Sequence, residues 1–221
     1  METVKIISLE HLTHDVVRLV VEKPGTISYL PGQAVDLSIN QPGWEKEKRP
    51  FTFTSLPEDD HLEFSIKTYP ARQGVTNKLL SLHAGDELFI YKPFGDITYK
   101  GEGVFIAGGA GVTPFIAIFK QLERNNQVGT NKLIFANKTK ADIILEERFH
   151  TLLGNKFINI LSDEEIDGYE HGYISAELIK KHMDGQSNYF YLCGPPPMMT
   201  AVEKHLSSLG ITDSFIVKEA F

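Results

Sequence analysis

The sequence predicts two domains of different class, an all-β barrel followed by an α/β domain built on a parallel sheet. Three observations carry that prediction. The chain has 221 residues, room for one to two domains with a real core. Its first hundred residues read as short strands separated by turns, and from Gly101 strands and helices alternate. Composition is that of a globular protein, with 42% hydrophobic and 23% charged residues, which argues against wholesale disorder.

In the first half VKIISLE, VVRLVVE, AVDLSIN, FTFTS, LEFSIKTY and ELFIYK are rich in β-branched and aromatic residues. Pro24-Gly25, Pro31-Gly32, Gln41-Pro42-Gly43 and Ala84-Gly85-Asp86 supply turns. In LEFSIK, Leu62, Phe64 and Ile66 share one face while Glu63, Ser65 and Lys67 share the other. That alternation predicts a half-buried antiparallel strand. About six such strands suggest a small barrel, with a short helix from Thr76 to Leu82 between the last two.

VFIAGG opens the second half as a strand. Thr113 then serves as a helix cap, Pro114 takes the first helical position, and Phe115, Ile118, Phe119 and Leu122 mark the apolar face. KLIFAN, FINILS, NYFYLC and FIVKEA repeat the strand signal, with helices expected over Ile143 to Leu153, Ser175 to His182 and Pro197 to Leu209, the last stopped by Gly210. Such alternation implies a parallel sheet covered on both faces, with ligands beyond the carboxyl ends of its strands. A linker at Tyr99 to Gly103 gives domains of 1–99 and 103–221.

Lys plus Arg total 22 against 29 Asp plus Glu, a net charge of -7, so no basic footprint marks a nucleic-acid or anionic-membrane partner. The single cysteine, Cys193, excludes an internal disulfide framework, a Cys-rich zinc site and a four-thiolate iron–sulfur cluster. The opening METVKIISLE carries no signal-peptide pattern, and no apolar run reaches bilayer length. A reducing, cytoplasmic setting is expected. His11 and His14 have helical spacing but sit in a turn between strands, where solvated side chains outweigh a metal pair; no metal is expected. Neither G-x-S-x-G nor H-E-x-x-H occurs, which leaves hydrolase readings without their anchors.

Gly108, Gly109 and Gly111 stand between a strand and a helix, where backbone N–H groups can approach a pyrophosphate. Ala110, Thr113 and Pro114 complete that turn, with Pro114 where a Rossmann fingerprint has its third glycine. A turn that serves packing alone is the alternative. Asn137 and Lys138 end the next strand, at the place of the coenzyme ribose. A cation there favours NADPH over NADH, set against a merely solvated lysine. Cys193-Gly194-Pro195-Pro196-Pro197-Met198 forms a stiff turn at the sheet's carboxyl edge; an inert strand cysteine is the alternative reading of Cys193. In the first half, Arg49-Pro50-Phe51-Thr52 offers parts for gripping a phosphate and covering a flat ring, although alone it reads equally as a strand with a charged edge. Gly74-Val75-Thr76 precedes a short helix and offers a second phosphate cradle.

Six motifs in order, Pro31-Gly32-Gln33, Arg49 to Thr52, Gly74 to Thr76, Gly108 to Pro114, Cys193 to Pro196 and terminal Glu219-Ala220-Phe221, together resemble the ferredoxin–NADP reductase superfamily. The resemblance spans nearly the whole chain. It implies a flavin-binding Greek-key barrel followed by a nicotinamide dinucleotide domain, with FAD between them. On that resemblance Arg49 binds a flavin phosphate, Phe51, where the family more often has Tyr, packs on the isoalloxazine, and Thr52 hydrogen-bonds near its reactive nitrogen. Pro50, Ile66 and Lys67 belong to the same flavin site, and Gly74, Val75 and Thr76 cradle the pyrophosphate. The adenine loop falls between Tyr69 and Gln73. Gly109, Ala110, Gly111, Thr113, Pro114, Asn137, Lys138, Cys193, Gly194, Pro195 and Met198 face the nicotinamide coenzyme. Thr52, Cys193 and Glu219 are the catalytic candidates, and Phe221 covers the flavin.

The implied activity is hydride transfer from NADPH or NADH to bound FAD, then electron transfer to a separate acceptor such as flavodoxin or ferredoxin, by a monomer. One alternative is an NAD(P)H:flavin reductase that takes free flavin as substrate. Another is a non-catalytic binding module on the same fold.

Overall fold

The structure, a computed structural model, describes residues 1–183 and 189–219. The chain divides into two compact units, one of Met1–Thr98 with Thr113–Gln121, the other of Tyr99–Val112 with everything from Leu122 onward.

The first unit holds six antiparallel strands: β1 (Glu2–His11), β2 (Val16–Glu22), β3 (Ala34–Ile39), β4 (Arg49–Thr52), β5 (His61–Lys67) and β6 (Glu87–Phe94). Their spatial order is β4-β3-β6-β1-β2-β5, a Greek-key order. Beyond β4 the chain meets the far edge of the sheet, where Phe53 bridges Phe64 and the Thr54 amide donates to the Glu63 carbonyl at 2.7 Å. That seam closes the sheet into a barrel. Its interior is apolar, with Leu19, Val35, Phe53, Leu62, Phe64 and Leu88 wholly buried. Phe53 stacks on Tyr29 with ring centroids 3.8 Å apart.

One expectation fails here. β5 is buried on both faces, because Glu63 and Ser65, placed in water by the alternation, are each only 7% exposed. Glu63 is enclosed by cations from other elements, which no local pattern reveals. Helix α1 (Val75–Leu79) starts one residue earlier than expected and ends three sooner, the chain continuing to Leu82 as turns.

The second unit has a parallel sheet of β7 (Gly103–Gly108), β8 (Lys132–Asn137), β9 (Phe157–Leu161), β10 (Glu170–His171), β11 (Tyr189–Cys193) and β12 (Ile216–Val217), in the order β10-β9-β8-β7-β11-β12. Helices α4 (Ala176–His182) and α5 (Pro196–Ser208) pack Leu178, Ile179, Val202 and Leu206 with Ile106, Ile158 and their neighbours. α3 (Glu146–Leu153) covers the other face, Phe149 meeting Phe157 with centroids 5.5 Å apart. Tyr191 stacks on Phe105 at 4.1 Å and donates its hydroxyl to the Gly101 carbonyl at 2.7 Å. Burial pushes that phenol up to about 12.

Several boundaries depart from expectation for local reasons. α2 (Thr113–Arg124) is entered through a 3-10 turn over Gly109–Val112, so Thr113 is already helical rather than a cap. α3 begins three residues late because Leu145 adopts φ 56°, a left-handed conformation outside a helix. FIVKEA yields only the two-residue β12, with Phe215 in a 3-10 turn. β10 carries no strand signal in the sequence. Ser175 does cap α4, its hydroxyl accepting from the Leu178 amide at 3.1 Å, and Gly210 follows α5 at φ +81°.

Candidate functional site

Among the described residues, Gly109 to Gly111, Asn137, Lys138, Cys193 and Gly194 lie at one edge of the parallel sheet. The strands run in register, Cys193 beside Ala107, Gly108 beside Ala136 and Asn137 beside Leu161, so β7, β8 and β11 all end there. The Gly109–Val112 turn leaves β7 and passes very close to the end of β11. A Cβ on Gly111 would stand 2.2 Å from the Cys193 carbonyl oxygen, one on Gly108 would stand 2.5 Å from Met198 Sδ, and one on Gly194 would meet Met198 Cε at 2.4 Å. These three glycines permit contact between the two turns. Gly109 differs: at φ +51° its missing Cβ would face open space. Packing therefore explains Gly108 and Gly111, while Gly109 leaves its backbone open to a ligand.

Asn137 ends β8 at 8% exposure, and among the described residues neither its amide nitrogen nor its amide oxygen has a hydrogen-bond partner. A buried amide with both ends unmet needs a partner beyond the described residues. Lys138 beside it is exposed. The open turn and the orphaned amide at one strand edge fit a dinucleotide.

Cys193 ends β11, half-buried. Burial above all, with the Glu219 charge adding to it, pushes its thiol up to about 12. It is a neutral S–H donor, not a thiolate. The structure brings Cys193 and Glu219 together. Thr113 and Pro114 are buried and Pro195 exposed, whereas Phe221 lies outside the described residues.

On the barrel unit, β4 pairs with β3 through Arg49 to Leu37, Pro50 to Asp36, Phe51 to Val35 and Thr52 to Ala34. It is an edge strand over this length. Arg49 and Pro50 are exposed while Phe51 and Thr52 are half-buried. The Arg49 guanidinium donates to the Lys48 carbonyl at 2.7 Å and lies 3.4 Å from Glu47. Gly74 precedes α1 with no side-chain cap and nothing within 4 Å of its missing Cβ, so the Val75 and Thr76 amides head an open helix end. In the loop between Tyr69 and Gln73 the Arg72 guanidinium lies 5.3 Å from the centroid of the exposed Tyr69 ring. An exposed guanidinium, a half-buried ring and an uncapped glycine turn fit a flavin nucleotide. Ile66 is 1% exposed in the barrel core and Lys67 pairs with Asp15 at 2.6 Å, so Ile66 offers a ligand only backbone.

A cavity of about 370 Å³ lies elsewhere, beside the amino-terminal half of β9, and contains none of the candidates. Among the described residues, no helix is long and apolar enough to cross a membrane.

The fold and these two sets of residues define a flavin and nicotinamide nucleotide-binding protein. The FAD-binding domain family matches residues 1–125, and the oxidoreductase NAD-binding domain family matches residues 105–204. The chain is 32% identical over 224 residues to NADH-cytochrome b5 reductase 1 of Aspergillus terreus, covering 91% of this chain and 75% of that one. It is 31% identical over 237 residues to the reductase component of propane 2-monooxygenase from Mycolicibacterium goodii, covering 98% and 66%. Across such relatives the chain spans between 60% and 79% of their length. The flavohem-like FAD/NAD-binding domain of nitric oxide dioxygenase from Vibrio cholerae shares the fold, with a TM-score of 0.87 at 24% identity, covering 99% of this chain and 98% of that one. The chain belongs to the FAD-binding domain family and joins such a domain to an oxidoreductase NAD-binding domain.

Proposed function

We propose that the chain oxidises NADPH or NADH, reduces a bound FAD and delivers the electrons to a separate protein acceptor. The observation that carries the reading is the carboxyl edge of the parallel sheet, where an open glycine turn and the orphaned amide of Asn137 stand together. Residues 1–99 hold the flavin and residues 103–221 the coenzyme. Bound FAD supplies the change from two-electron to one-electron chemistry. The protein's part is placement. Arg49 pairs with a flavin phosphate, assisted by the Val75 and Thr76 amides. Phe51 packs on the flavin ring, and the Thr52 hydroxyl hydrogen-bonds its reactive edge. Gly109 and Ala110 receive the coenzyme pyrophosphate, while Asn137 meets the ribose hydroxyls. Cys193 and Glu219 border the nicotinamide, the thiol keeping its proton.

Flavodoxin and ferredoxin are the acceptors the motif order suggests. The relatives add two more, a cytochrome b5 and an oxygenase component. The test begins with the absorption spectrum of the purified protein and its released cofactor. Stoichiometric FAD, bleached anaerobically by NAD(P)H and reoxidised by one acceptor of that panel, is the expected result. A colourless protein that oxidises NAD(P)H only with added free flavin would make flavin the substrate. FAD content in Arg49→Ala equal to the parent's would remove β4 from the flavin site.

A further inference from the structure

The barrel closes at Thr54, and every polar atom of that residue is held by the same pair of side chains or their backbone. Its amide donates to the Glu63 carbonyl at 2.7 Å, and its hydroxyl to Glu63 Oε1 at 2.9 Å. Its carbonyl accepts from Lys120 Nζ at 2.7 Å. Lys120 Nζ also reaches Glu63 Oε1 at 2.9 Å, and the Arg18 guanidinium takes Oε2 at 2.7 Å. Lys120 stands on the part of α2 that belongs to the barrel unit. Ser55 adds a further tie, its hydroxyl accepting from the Glu63 amide at 2.9 Å and bonded to Tyr29 Oη at 3.0 Å.

A carboxylate that is 7% exposed needs compensation to stay charged. Burial pushes Glu63 up, yet Lys120, Arg18 and Thr54 together hold it below the ordinary carboxylate range. An apolar seam of the same volume would close a barrel at no greater cost. What the ionic seam adds is direction, because Lys120 fixes the Thr54 carbonyl and the Glu63 carboxylate fixes its hydroxyl. β4 has a neighbour only on its β3 side until Phe53, and an edge strand held on one side is free to slide and twist. Thr54 lies two residues after Thr52.

We propose that Lys120 and Glu63 are positioning residues for the flavin: by clamping Thr54 they set the placement of Phe51 and Thr52 on β4. The inference rests on the reading that β4 carries the flavin. Neither side chain belongs to that flavin site, and Lys120 lies 66 residues from the carbonyl it holds.

The test uses the full chain, stripped of flavin and titrated with FAD by fluorescence. Lys120→Met should weaken FAD binding at least tenfold and shift the visible flavin band, with the coenzyme KM unchanged within twofold. Lys120→Arg, which restores a donor, should return both toward the parent. In the double variant Glu63→Gln with Lys120→Met the buried carboxylate left with Arg18 as its one cation is gone, so stability should recover in part while FAD affinity stays low, because the Thr54 carbonyl still lacks its donor. Affinity that recovers together with stability, or an unchanged FAD Kd and spectrum in Lys120→Met, would reduce the cluster to a structural tie and overturn the proposal. Arg49→Ala run alongside separates the two failures. If it keeps FAD, the placement of flavin on β4 falls and takes the clamp with it; if it alone loses FAD, only the clamp falls.

Discussion

The two units hold their ligand-facing segments by opposite means. At the carboxyl edge of the parallel sheet, Gly108, Gly111 and Gly194 bring two turns together by the absence of side-chain atoms. At the barrel seam, Glu63, Lys120 and Arg18 hold Thr54 by charge. A contact made by missing atoms is indifferent to pH and intolerant of volume. One made of ions tolerates small changes of shape but depends on every member staying charged. The glycine turn should therefore break on a methyl group, and the barrel seam on a proton.

The sharpest break is Gly111→Ala, whose Cβ would stand 2.2 Å from the Cys193 carbonyl oxygen and 2.5 Å from its carbon. Backbone cannot rotate aside. Overpacking of this kind costs about 2–3 kcal/mol, read by urea denaturation, and should raise the coenzyme KM at least tenfold. Gly109→Ala is the control for stability alone, since its Cβ meets no described protein atom and it carries only the left-handed penalty of about 1 kcal/mol at φ +51°. Equal losses in the two variants would mean that close approach does not organise the turn.

Glu63→Gln probes the ionic side. Arg18 and Lys120 side chains are 34% and 30% exposed, so water recovers part of their solvation and a loss of about 1–2 kcal/mol at neutral pH is expected, below that of a fully buried pair. Because the folded carboxyl sits below its ordinary value, its stabilisation is complete above the unfolded pKa of about 4.3 and disappears as pH falls through the folded one. The gap between parent and Glu63→Gln should thus be constant from pH 6 to 8 and shrink in acid. The gap for Gly111→Ala should not change with pH. Denaturation midpoints measured from pH 3 to 8 give both curves, and a pH-independent Glu63→Gln gap would show that its charge contributes nothing.

What was legible in the sequence follows the same division. A glycine reports its own backbone, so Gly108 to Gly111 marked the turn without any neighbour in view. Richness in β-branched and aromatic residues between turns likewise found β1 to β6, with β4 starting two residues before the expected FTFTS. The ionic seam was invisible for the opposite reason. Glu63 lies 45 residues from Arg18 and 57 from Lys120. On the local pattern it belongs to the wet face of β5, and Lys120 lies off the apolar face of α2 marked by Phe115, Ile118, Phe119 and Leu122. Asn137 stood among the coenzyme candidates by position, but only burial shows its amide without a partner.

Cys193 ends β11 at the close-packed edge, against Gly111. With its thiol pushed up to about 12, it carries no charge between pH 6 and 9, so the rate of flavin reduction should show no thiol inflection in that range. Cys193→Ala should slow single-turnover flavin reduction about tenfold through loosened nicotinamide placement, while KM changes less. A thiol inflection near neutral pH would contradict the neutral donor, and an unchanged rate would make Cys193 a packing residue alone.

The smallest effect is expected at Lys138, which brings a charge to the edge that glycine otherwise organises. Its side chain is exposed one residue beyond Asn137, and an Asn amide, both donor and acceptor, suits the ribose hydroxyls of either coenzyme. Discrimination then rests on charge around a 2′-phosphate. Lys138 favours that phosphate, but acids stand in the same loops: the Glu164 carboxylate accepts from the Lys140 amide at 2.7 Å, and the Asp163 amide donates to the Lys138 carbonyl at 2.9 Å. An exposed lysine against such a background is worth about 1 kcal/mol, roughly a fivefold change. Lys138→Glu should accordingly lower kcat/KM for NADPH about fivefold and for NADH less than twofold, with the difference fading at 0.5 M salt because exposed charges are screened over about 3–10 Å. An unchanged NADPH to NADH ratio would leave Lys138 a solvated side chain.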